Sequence, residues 1–359
     1  MVIKDLIAKE IVEQSGYAAP AHTPGIRIRL DANENPFRLQ EPLKKKLLER
    51  MSRIDFNRYP VAGSPELRER FAGYFGVDQD MVMLGNGSDE LIQILCLALK
   101  GSINGVLVPV PTFAMYKIIA VNTGNKVVEV PLDSNFDLDT EEMLGKIATN
   151  FPALVFLSYP NSPTGNLFSR DKIEAILQKT PGVVVVDEAY AAFSEDTLVP
   201  LLKKYDNLII LKTLSKLGMA SMRLGFLIGN KDIIAELDKV RLPYNINSLS
   251  QIAASFFLDY SMEFAGQVQE VVKRREELYL ALKEIEGISP YPSRANFIYF
   301  SCIFDSNRIY AKLTAAGIYV KNLNKPPQMT NCMRVTVGNI EENAAFIKAL
   351  KSGISELGA

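Results

Sequence analysis

The chain has 359 residues, more than one compact hydrophobic core usually holds, so we expect a large and a small domain. Apolar residues make up 48% of the chain and charged residues 23%, which is typical of a globular protein. The 40 basic and 41 acidic side chains nearly cancel, so no overall field attracts nucleic acid or an anionic membrane, and we expect neither as a partner.

The cysteines argue for a reducing compartment. Cys96, Cys302 and Cys332 are far apart and form no CxxC pair, which predicts no disulfide framework. We therefore expect a cytoplasmic protein. With His22 as the one histidine, we expect no transition-metal site. No stretch is apolar for long enough to act as a secretory signal or to cross a bilayer.

The predicted elements of the middle of the chain alternate between strands and helices. Short β-branched runs cover residues 106–108, 127–130, 154–157, 183–186 and 208–211, and helical patterns such as 139–149 and 170–178 separate several of them. This predicts an α/β domain with a mostly parallel sheet covered on both faces. The next run, 224–228, follows after only about a dozen residues, too few for a helical crossover, so we expect that strand to be antiparallel.

The last third predicts a smaller α+β domain. Helical patterns cover 232–241, 250–285 with one break, 307–316 and 341–357, and strand patterns cover 296–300, 318–321 and 333–337. Pro243 marks a domain boundary, because proline resists helix continuation. We expect three segments: 1–45 as an arm with part of the small domain, 46–243 as the large domain, and 244–359 as the small one. The first thirty residues have no predicted strand partner, so we expect them to pack on another domain or subunit.

The strongest local feature is the run 183–186 followed by Asp187 and Glu188. A buried strand that ends in an acid places the carboxylate at the edge of the sheet where α/β folds bind ligands. Such an acid serves as a helix cap, a general base, a metal ligand or the partner of a cationic ring nitrogen. A Mg²⁺ site at Asp187 and Glu188 stays open as an alternative.

Lys216 follows another strand-like run, in a loop with Lys212, Thr213 and Ser215. A lysine forms a Schiff base when desolvation or a nearby cation lowers its pKa, and Arg223 could supply that cation. Lys212 is a competing candidate. The hydroxyls of Thr213 and Ser215 suit a phosphate and favour Lys216.

Two further strand ends carry polar turns. Gly87 and Ser88 precede the apolar run 91–99; Asn86 or Ser88 can cap this helix, whose first amides form an anion site, although a capped helix without a ligand is equally compatible. Asn161 lies in a turn rich in proline and could donate to a phenolate oxygen, or the turn could be purely structural.

Taken together, these turns supply an anion cradle, a hydrogen-bond donor, an acid and an amine, each at the end of a predicted strand. Pyridoxal phosphate requires these groups for its phosphate, phenolate oxygen, ring nitrogen and aldehyde. Asp187 would keep the ring nitrogen protonated, so that the ring accepts electrons from a substrate carbanion. No phosphate loop or dinucleotide fingerprint is present in the sequence.

At this point the sequence resembles the fold type I aminotransferases and, within them, the histidinol-phosphate aminotransferase family. The resemblance covers nearly the whole chain. Its motifs, in the family's order, are Leu30-Asp31-Ala32-Asn33-Glu34-Asn35-Pro36, Arg58-Tyr59-Pro60, Gly87-Ser88-Asp89-Glu90, Asn161-Ser162-Pro163-Thr164-Gly165, Asp187-Glu188-Ala189-Tyr190, Thr213-Leu214-Ser215-Lys216 and Cys332-Met333-Arg334-Val335-Thr336-Val337-Gly338.

The resemblance implies the residues that bind pyridoxal phosphate and a homodimer with shared sites. The implied catalytic residues are Lys216, Asp187 and Tyr190, and the implied cofactor-binding residues are Tyr59, Gly87, Ser88, Asp89, Phe113, Asn161, Asp187, Tyr190, Thr213, Ser215, Lys216 and Arg223. Among these, Phe113 stacks on the ring, Asn161 and Tyr190 contact the phenolate oxygen, and Tyr59 reaches the partner's site. Gly87, Ser88, Ser215 and Arg223 hold the phosphate, with Thr213 nearby.

The implied substrate-binding residues are Arg334, Lys321, His22, Asn161 and Tyr59. Arg334 would pair with the anionic end group of the substrate. Two positions depart from the family pattern. Relatives usually carry arginine near Lys321 and tyrosine near His22, and lysine lacks the bidentate fork of arginine.

The implied activity transfers an amino group between L-histidinol phosphate and 2-oxoglutarate through a Schiff base on Lys216, in histidine biosynthesis. Its partners are thus a small amino donor and a 2-oxo acid. The alternatives are an aminotransferase for aromatic or other amino acids, a threonine-phosphate decarboxylase, and a non-catalytic cofactor-binding module.

Overall fold

The computed structural model describes residues 6–14, 25–99, 105–325 and 329–358. The strands are β1 (Ile28–Leu30), β2 (Val82–Gly85), β3 (Val106–Val110), β4 (Val127–Pro131), β5 (Leu154–Ser158), β6 (Val183–Asp187), β7 (Leu208–Thr213), β8 (Gly225–Gly229), β9 (Ile288–Pro290), β10 (Phe297–Cys302), β11 (Ile318–Asn322) and β12 (Cys332–Thr336). They form one seven-stranded and one five-stranded sheet.

The helices surround these two sheets. They are α1 (Lys9–Val12), α2 (Glu41–Met51), α3 (Pro65–Phe75), α4 (Ser88–Ala98), α5 (Met115–Asn122), α6 (Thr140–Asn150), α7 (Arg170–Lys179), α8 (Lys231–Asp238), α9 (Ser248–Asp259), α10 (Ser261–Lys283), α11 (Ser306–Ala315) and α12 (Ile340–Gly358). Within the described ranges, none is both long and apolar enough to cross a membrane.

The large sheet has the strand order β2-β8-β7-β6-β5-β3-β4. Strand β8 is antiparallel to both of its neighbours, and the remaining adjacent strands pair in parallel. The mostly parallel sheet with one reversed strand is therefore confirmed. The short 3₁₀ turn Ala220–Met222, rather than a crossover helix, joins β7 to β8 and allows the reversal. The sequence did not predict β2, because four residues are too few to show a periodicity.

Side chains of each central strand alternate between two apolar layers. Val183 and Val185 of β6 pack in one layer, which includes side chains of α4, α5 and α8. Val184 and Val186 pack in the other layer, with side chains of α6 and α7. Because successive side chains point to opposite faces, Asp187 belongs to the first face, where α5 covers the end of the strand.

The small sheet has the order β1-β11-β12-β10-β9. Its edge corrects one expectation: the first thirty residues do have a strand partner, since Ile28–Leu30 pairs in parallel with β11 and places Ile28 opposite Ile318. A three-residue edge strand with a partner so distant in sequence leaves no local pattern to detect. Nearer the amino terminus, α1 lies against α5 of the same chain, with Gln14 Nε2 donating to the carbonyl oxygen of Ile118 at 3.5 Å.

The predicted long helix near residue 250 breaks once, at Tyr260 between α9 and α10. Phe256 and Phe257 of α9 pack with Phe71 of α3 and with Phe226 of the large sheet, whereas α10 contributes to the core of the small sheet. The proposed division of the chain into 1–45, 46–243 and 244–359 stays a prediction.

Candidate active site

A cavity opens at the carboxyl ends of β5, β6 and β7, beside the start of α4. Its walls are Ser88, Asp89, Phe113, Ser158, Asp187, Ala189, Tyr190, Thr213, Ser215, Lys216 and Arg223. All of these except Ser158 and Ala189 are among the residues that the sequence predicts to bind the cofactor. These residues are more than a hundred positions apart in sequence at the extremes. They meet at one edge of the sheet because parallel strands place their carboxyl ends at the same edge.

Asp187 is the buried acid of this cavity, with 4% of its surface exposed. Tyr116 donates its hydroxyl to Oδ2 at 2.6 Å, and the backbone amide of Ala189 donates to Oδ1 at 3.0 Å. Burial raises the pKa of Asp187 to about 6, although these two hydrogen bonds oppose the shift. Both donors are neutral, so a cation placed against this carboxylate would stabilise its charged form.

Glu188 points away from the site that Asp187 serves. Its buried carboxylate forms an ion pair with Lys212 and accepts hydrogen bonds from the Thr197 hydroxyl and the Leu198 amide. The two acids therefore do not converge on one ion, and among the described residues no group of three histidine, cysteine or acidic side chains could hold a metal. The amine of Lys212 is engaged in the ion pair with Glu188 and is not in the wall of this cavity, whereas the amine of Lys216 is. This difference favours Lys216 over Lys212 as the reactive lysine.

Lys216 lines the cavity and reaches toward the segment that follows β1. Its Nζ donates to the carbonyl oxygen of Ala32 at 3.2 Å and lies 5.8 Å from the centre of the Tyr190 ring. The Tyr190 hydroxyl in turn accepts a hydrogen bond from Nδ2 of Asn33 at 2.9 Å. The amine and the phenol are thus held by adjacent residues of the same segment.

The turn before α4 forms a cradle for an anion. Gly87 is the N-cap residue of α4, with φ at 81°, and neither Asn86 nor Ser88 caps the helix with its side chain, contrary to expectation. Instead, the Glu90 carboxylate accepts a hydrogen bond from the Asn86 amide at 2.6 Å. The helix therefore keeps free amides at its first turn, where its dipole favours negative charge.

Arg223 closes this cradle from the other side. A Cβ at position 87 would lie 2.6 Å from Nη2 of Arg223, so glycine is needed for the guanidinium to come this close. Arg223 pairs with Asp89 at 3.0 Å and contacts the Ser215 hydroxyl at 3.5 Å. The Thr213 hydroxyl lies 2.9 Å from that of Ser215. A cation, hydroxyls and helix amides thus face one position.

Of the other two residues predicted to contact the cofactor ring, one lines the cavity and the other does not. Phe113 is in the cavity wall and meets Tyr116 edge to face, with ring centres 5.4 Å apart. Asn161 is buried outside the wall, and its amide donates to the Pro111 carbonyl oxygen at 3.0 Å and to the Thr164 hydroxyl at 2.7 Å. Asn161 would have to exchange one of these bonds to contact a ligand.

Two predicted residues lie away from the cavity or outside the described ranges. Tyr59 is 81% exposed, stacks on Tyr244 with ring centres 4.6 Å apart, and does not line the cavity of its own chain. His22 lies in the stretch 15–24, which is outside the described residues.

The predicted substrate cations sit on neighbouring strands of the small sheet. Lys321 of β11 is the register partner of Arg334 of β12. Arg334 donates to the Asp31 carbonyl oxygen at 2.9 Å and to the Ser162 hydroxyl at 3.2 Å. Burial, followed by the charge of Arg334, lowers the pKa of Lys321. The Asp31 carbonyl that accepts from Arg334 directly precedes, in sequence, the Ala32 carbonyl that accepts from Lys216.

Sequence reasoning assigned no role to Tyr116 or Asn33. Tyr116 lies one helical turn after Phe113, and a tyrosine buried in an apolar helix is a signal for a polar partner. Asn33 belongs to a motif that carried the resemblance, but its partner Tyr190 is 157 positions away. No local pattern could join these two residues.

The assembled groups fit pyridoxal phosphate. The buried Asp187 accepts hydrogen bonds from neutral donors, the glycine at position 87 lets Arg223 approach the start of α4, and Arg223 and Lys216 line the same cavity. Together with the reversed strand of the large sheet, they define the class of fold type I enzymes that use this cofactor.

Comparison with known proteins narrows this class. The aminotransferase class I and II family model matches residues 26–350, so the chain belongs to this family of pyridoxal-phosphate-dependent aminotransferases. A histidinol-phosphate aminotransferase 2 of Nitrosococcus oceani is 45% identical over 329 residues, which cover 91% of each chain. The histidinol-phosphate aminotransferase of Aquifex aeolicus is 41% identical over 354 residues, 98% of this chain and 99% of its own.

A solved structure shows the same fold. The histidinol-phosphate aminotransferase of Sinorhizobium meliloti, crystallised in complex with pyridoxal-5'-phosphate, aligns with a TM-score of 0.86 and 22% identity over 98% of both chains. The family, the fold class and the cofactor predicted from the sequence are therefore confirmed.

The raised pKa of Asp187 predicts a pH dependence of stability. The unfolded chain releases this proton near its ordinary pKa of 3.8, whereas the folded protein holds it to about 6. The contribution of Asp187 is therefore fully present below pH 3.8 and is lost as the pH rises through 6, a cost of up to about 3 kcal/mol. The cofactor-free Asp187→Asn variant should lose less stability between pH 4 and pH 7 than the cofactor-free wild type, measured by urea unfolding. Parallel stability curves for the two proteins would contradict the prediction.

Proposed function

We propose that this enzyme transfers an amino group between L-histidinol phosphate and 2-oxoglutarate, as a step of histidine biosynthesis. The observation that carries the proposal is the pair of cations, Lys321 and Arg334, beside the site of the Lys216 amine. The names of the relatives from Nitrosococcus oceani and Aquifex aeolicus support the same substrate.

The charge balance at the cation pair favours a phosphate over a carboxylate. Lys321 is half-buried beside Arg334; burial, followed by the charge of Arg334, lowers its pKa, and the Asp31 carboxylate opposes the shift. A phosphate monoester carries about 1.5 to 2 negative charges at pH 7, whereas a carboxylate carries one. A phosphate end group therefore offers more negative charge to these two cations than a carboxylate does, with Arg334 supplying the planar fork and Lys321 a point charge.

Most of the proposed cofactor contacts involve residues in the walls of the cavity, whereas Gly87 and Asn161 lie outside those walls. Asp187 would accept from the ring nitrogen, Phe113 would cover a ring face, and Tyr190 would donate to the phenolate oxygen, with Asn161 as a second donor. The proposed phosphate ligands are Gly87, Ser88, Thr213, Ser215 and Arg223, with Asp89 holding the arginine. When bound, the cofactor withdraws electrons from the substrate carbon that bears the amine.

Lys216 is the proposed attachment point for the cofactor aldehyde and the base that moves a proton at the substrate carbon. The Ala32 carbonyl accepts from its Nζ at 3.2 Å, which fixes the direction of the amine without neutralising it. Tyr116 holds Asp187 in place through its 2.6 Å hydrogen bond.

We further infer a homodimer in which Tyr59 reaches the partner's cofactor phosphate. Tyr59 is exposed, and the exposed apolar side chains Phe56, Val61 and Leu242 occur in the same two stretches of chain as Tyr59 and Tyr244. A second copy of the chain would bury this surface. We also infer a cytoplasmic location, because Cys96, Cys302 and Cys332 are all unpaired thiols.

Lys216→Ala should abolish turnover and the visible absorption band of the bound cofactor, because the variant has no amine to form the Schiff base. Absorption spectra and steady-state assays of the purified protein measure both effects. The matched control is Lys212→Arg, which keeps the ion pair with Glu188 and should retain the band. If Lys216→Ala kept the visible band and Lys212→Arg lost it, the Schiff base would form on Lys212 and the assignment to Lys216 would be wrong.

Arg334→Gln should lower kcat/KM for histidinol phosphate by about 100-fold, since charged hydrogen bonds to the phosphate are lost. Lys321→Gln should have a smaller effect, about 10-fold, because a point charge makes fewer directed bonds. The wild-type enzyme should prefer histidinol phosphate to phenylalanine in steady-state assays. A preference for phenylalanine, or release of carbon dioxide from threonine phosphate, would support the corresponding alternative and refute this substrate.

Mixing two inactive variants tests the shared site. If Tyr59 acts in the partner's site, refolding Lys216→Ala together with Tyr59→Ala gives heterodimers in which one site carries both defects and the other carries none. About a quarter of the wild-type activity should then return. If Tyr59 acts in its own chain, every site keeps a defect and no activity returns. Sedimentation should also give twice the 39.9 kDa of one chain.

A further inference from the structure

The short segment after β1 touches three different residues of the site through three consecutive residues. The Asp31 carbonyl oxygen accepts from Arg334 at 2.9 Å, and the Ala32 carbonyl oxygen accepts from Lys216 at 3.2 Å. Next in sequence, Nδ2 of Asn33 donates to the Tyr190 hydroxyl at 2.9 Å. The first two contacts use backbone atoms, so any residue could make them, but the third depends on the side chain of asparagine.

The orientation of the Asn33 amide is determined by its other neighbours. Asn33 is 1% exposed, and its backbone amide donates to Oγ1 of Thr336 at 3.0 Å. The Thr336 hydroxyl hydrogen is then free to donate to Oδ1 of Asn33 at 3.2 Å. With Oδ1 directed at this donor, the NH₂ group faces Tyr190. The Asn33 carbonyl oxygen accepts from Asn296 at 3.0 Å and anchors the residue further.

We propose that Asn33 is a positioning residue that directs the hydroxyl hydrogen of Tyr190 into the cavity. An amide NH₂ only donates, so the Tyr190 oxygen must accept from Asn33, and its own hydrogen points elsewhere. Tyr190 lines the cavity, where the phenolate oxygen of the cofactor is the acceptor of matching chemistry. The inference rests on the proposed cofactor contacts and deepens them.

The backbone explains why asparagine suits this position. Asn33 has φ at 54°, in the left-handed region, which asparagine and aspartate enter more readily than other side chains. Asparagine therefore meets two demands at once, a left-handed backbone and a buried donor. Asn33→Asp keeps the shape and the backbone preference while it replaces the donor by an acceptor. Asn33→Gly keeps the backbone preference and removes the side chain.

The test is the pH titration of the visible absorption band of the holoenzyme. A donor at the phenolate oxygen stabilises its negative charge and makes the conjugated nitrogen on Lys216 less basic. In Asn33→Asp the Tyr190 hydrogen turns to the new carboxylate, so the midpoint of the titration should rise by about one pH unit. The rise should vanish when both proteins also carry Tyr190→Phe, because no hydrogen is left to redirect.

The Tyr190→Phe background separates positioning from a direct charge effect. An unchanged midpoint in Asn33→Asp, or an equal rise with and without the Tyr190 hydroxyl, would overturn the inference. If Asn33→Asp does not fold, Asn33→Gly should give a smaller rise that also depends on Tyr190, and no rise would count against the inference. A wild-type protein without a visible band would refute the proposed function itself, which distinguishes the two failures.

Discussion

The burial of the Asp187 carboxylate is the constraint on which the site depends. It ends a strand whose side chains pack in two apolar layers, so its charge is costly unless a positive group meets it. Tyr116 and the Ala189 amide hold its oxygens without supplying charge. The neighbouring acid Glu188 forms an ion pair with Lys212 and therefore does not compete with Asp187 for a cation in the cavity. The position beside Asp187 is therefore suited to a cationic ring nitrogen.

The two sheets contribute different parts of the site, and the segment after β1 joins them. The large sheet supplies the acid, the amine and the anion cradle, whereas the small sheet supplies Lys321 and Arg334. Strand β1 pairs with β11. The three residues that follow β1 contact Arg334, Lys216 and Tyr190 in succession. A shift of the small sheet would therefore move the substrate cations and the carbonyl that holds the amine together.

Much of the lining of the candidate site could be predicted because several of its residues lie at the ends of strands with strong local patterns. The apolar run 183–186 predicts a strand that ends at Asp187, and the short gap before β8 predicts that β8 is antiparallel to its neighbours. The features that the sequence did not predict depend on contacts between residues far apart in the chain. Strand β1 has a partner far away in sequence, and the role of Asn33 exists only where Tyr190 meets it. Local periodicity contains no information on such pairs.

The two proposed anion sites would use different interactions. At the cradle, the helix amides are held by the backbone of α4, and glycine at position 87 lets Arg223 approach closely, so little rearrangement accompanies binding of an anion. At the proposed substrate end, burial and then the charge of Arg334 lower the pKa of Lys321, while the Asp31 carboxylate opposes the shift. The first arrangement suits a group that stays bound through many reactions. The second would suit a substrate that must enter and leave, because it attracts the anion through two side-chain charges on neighbouring strands.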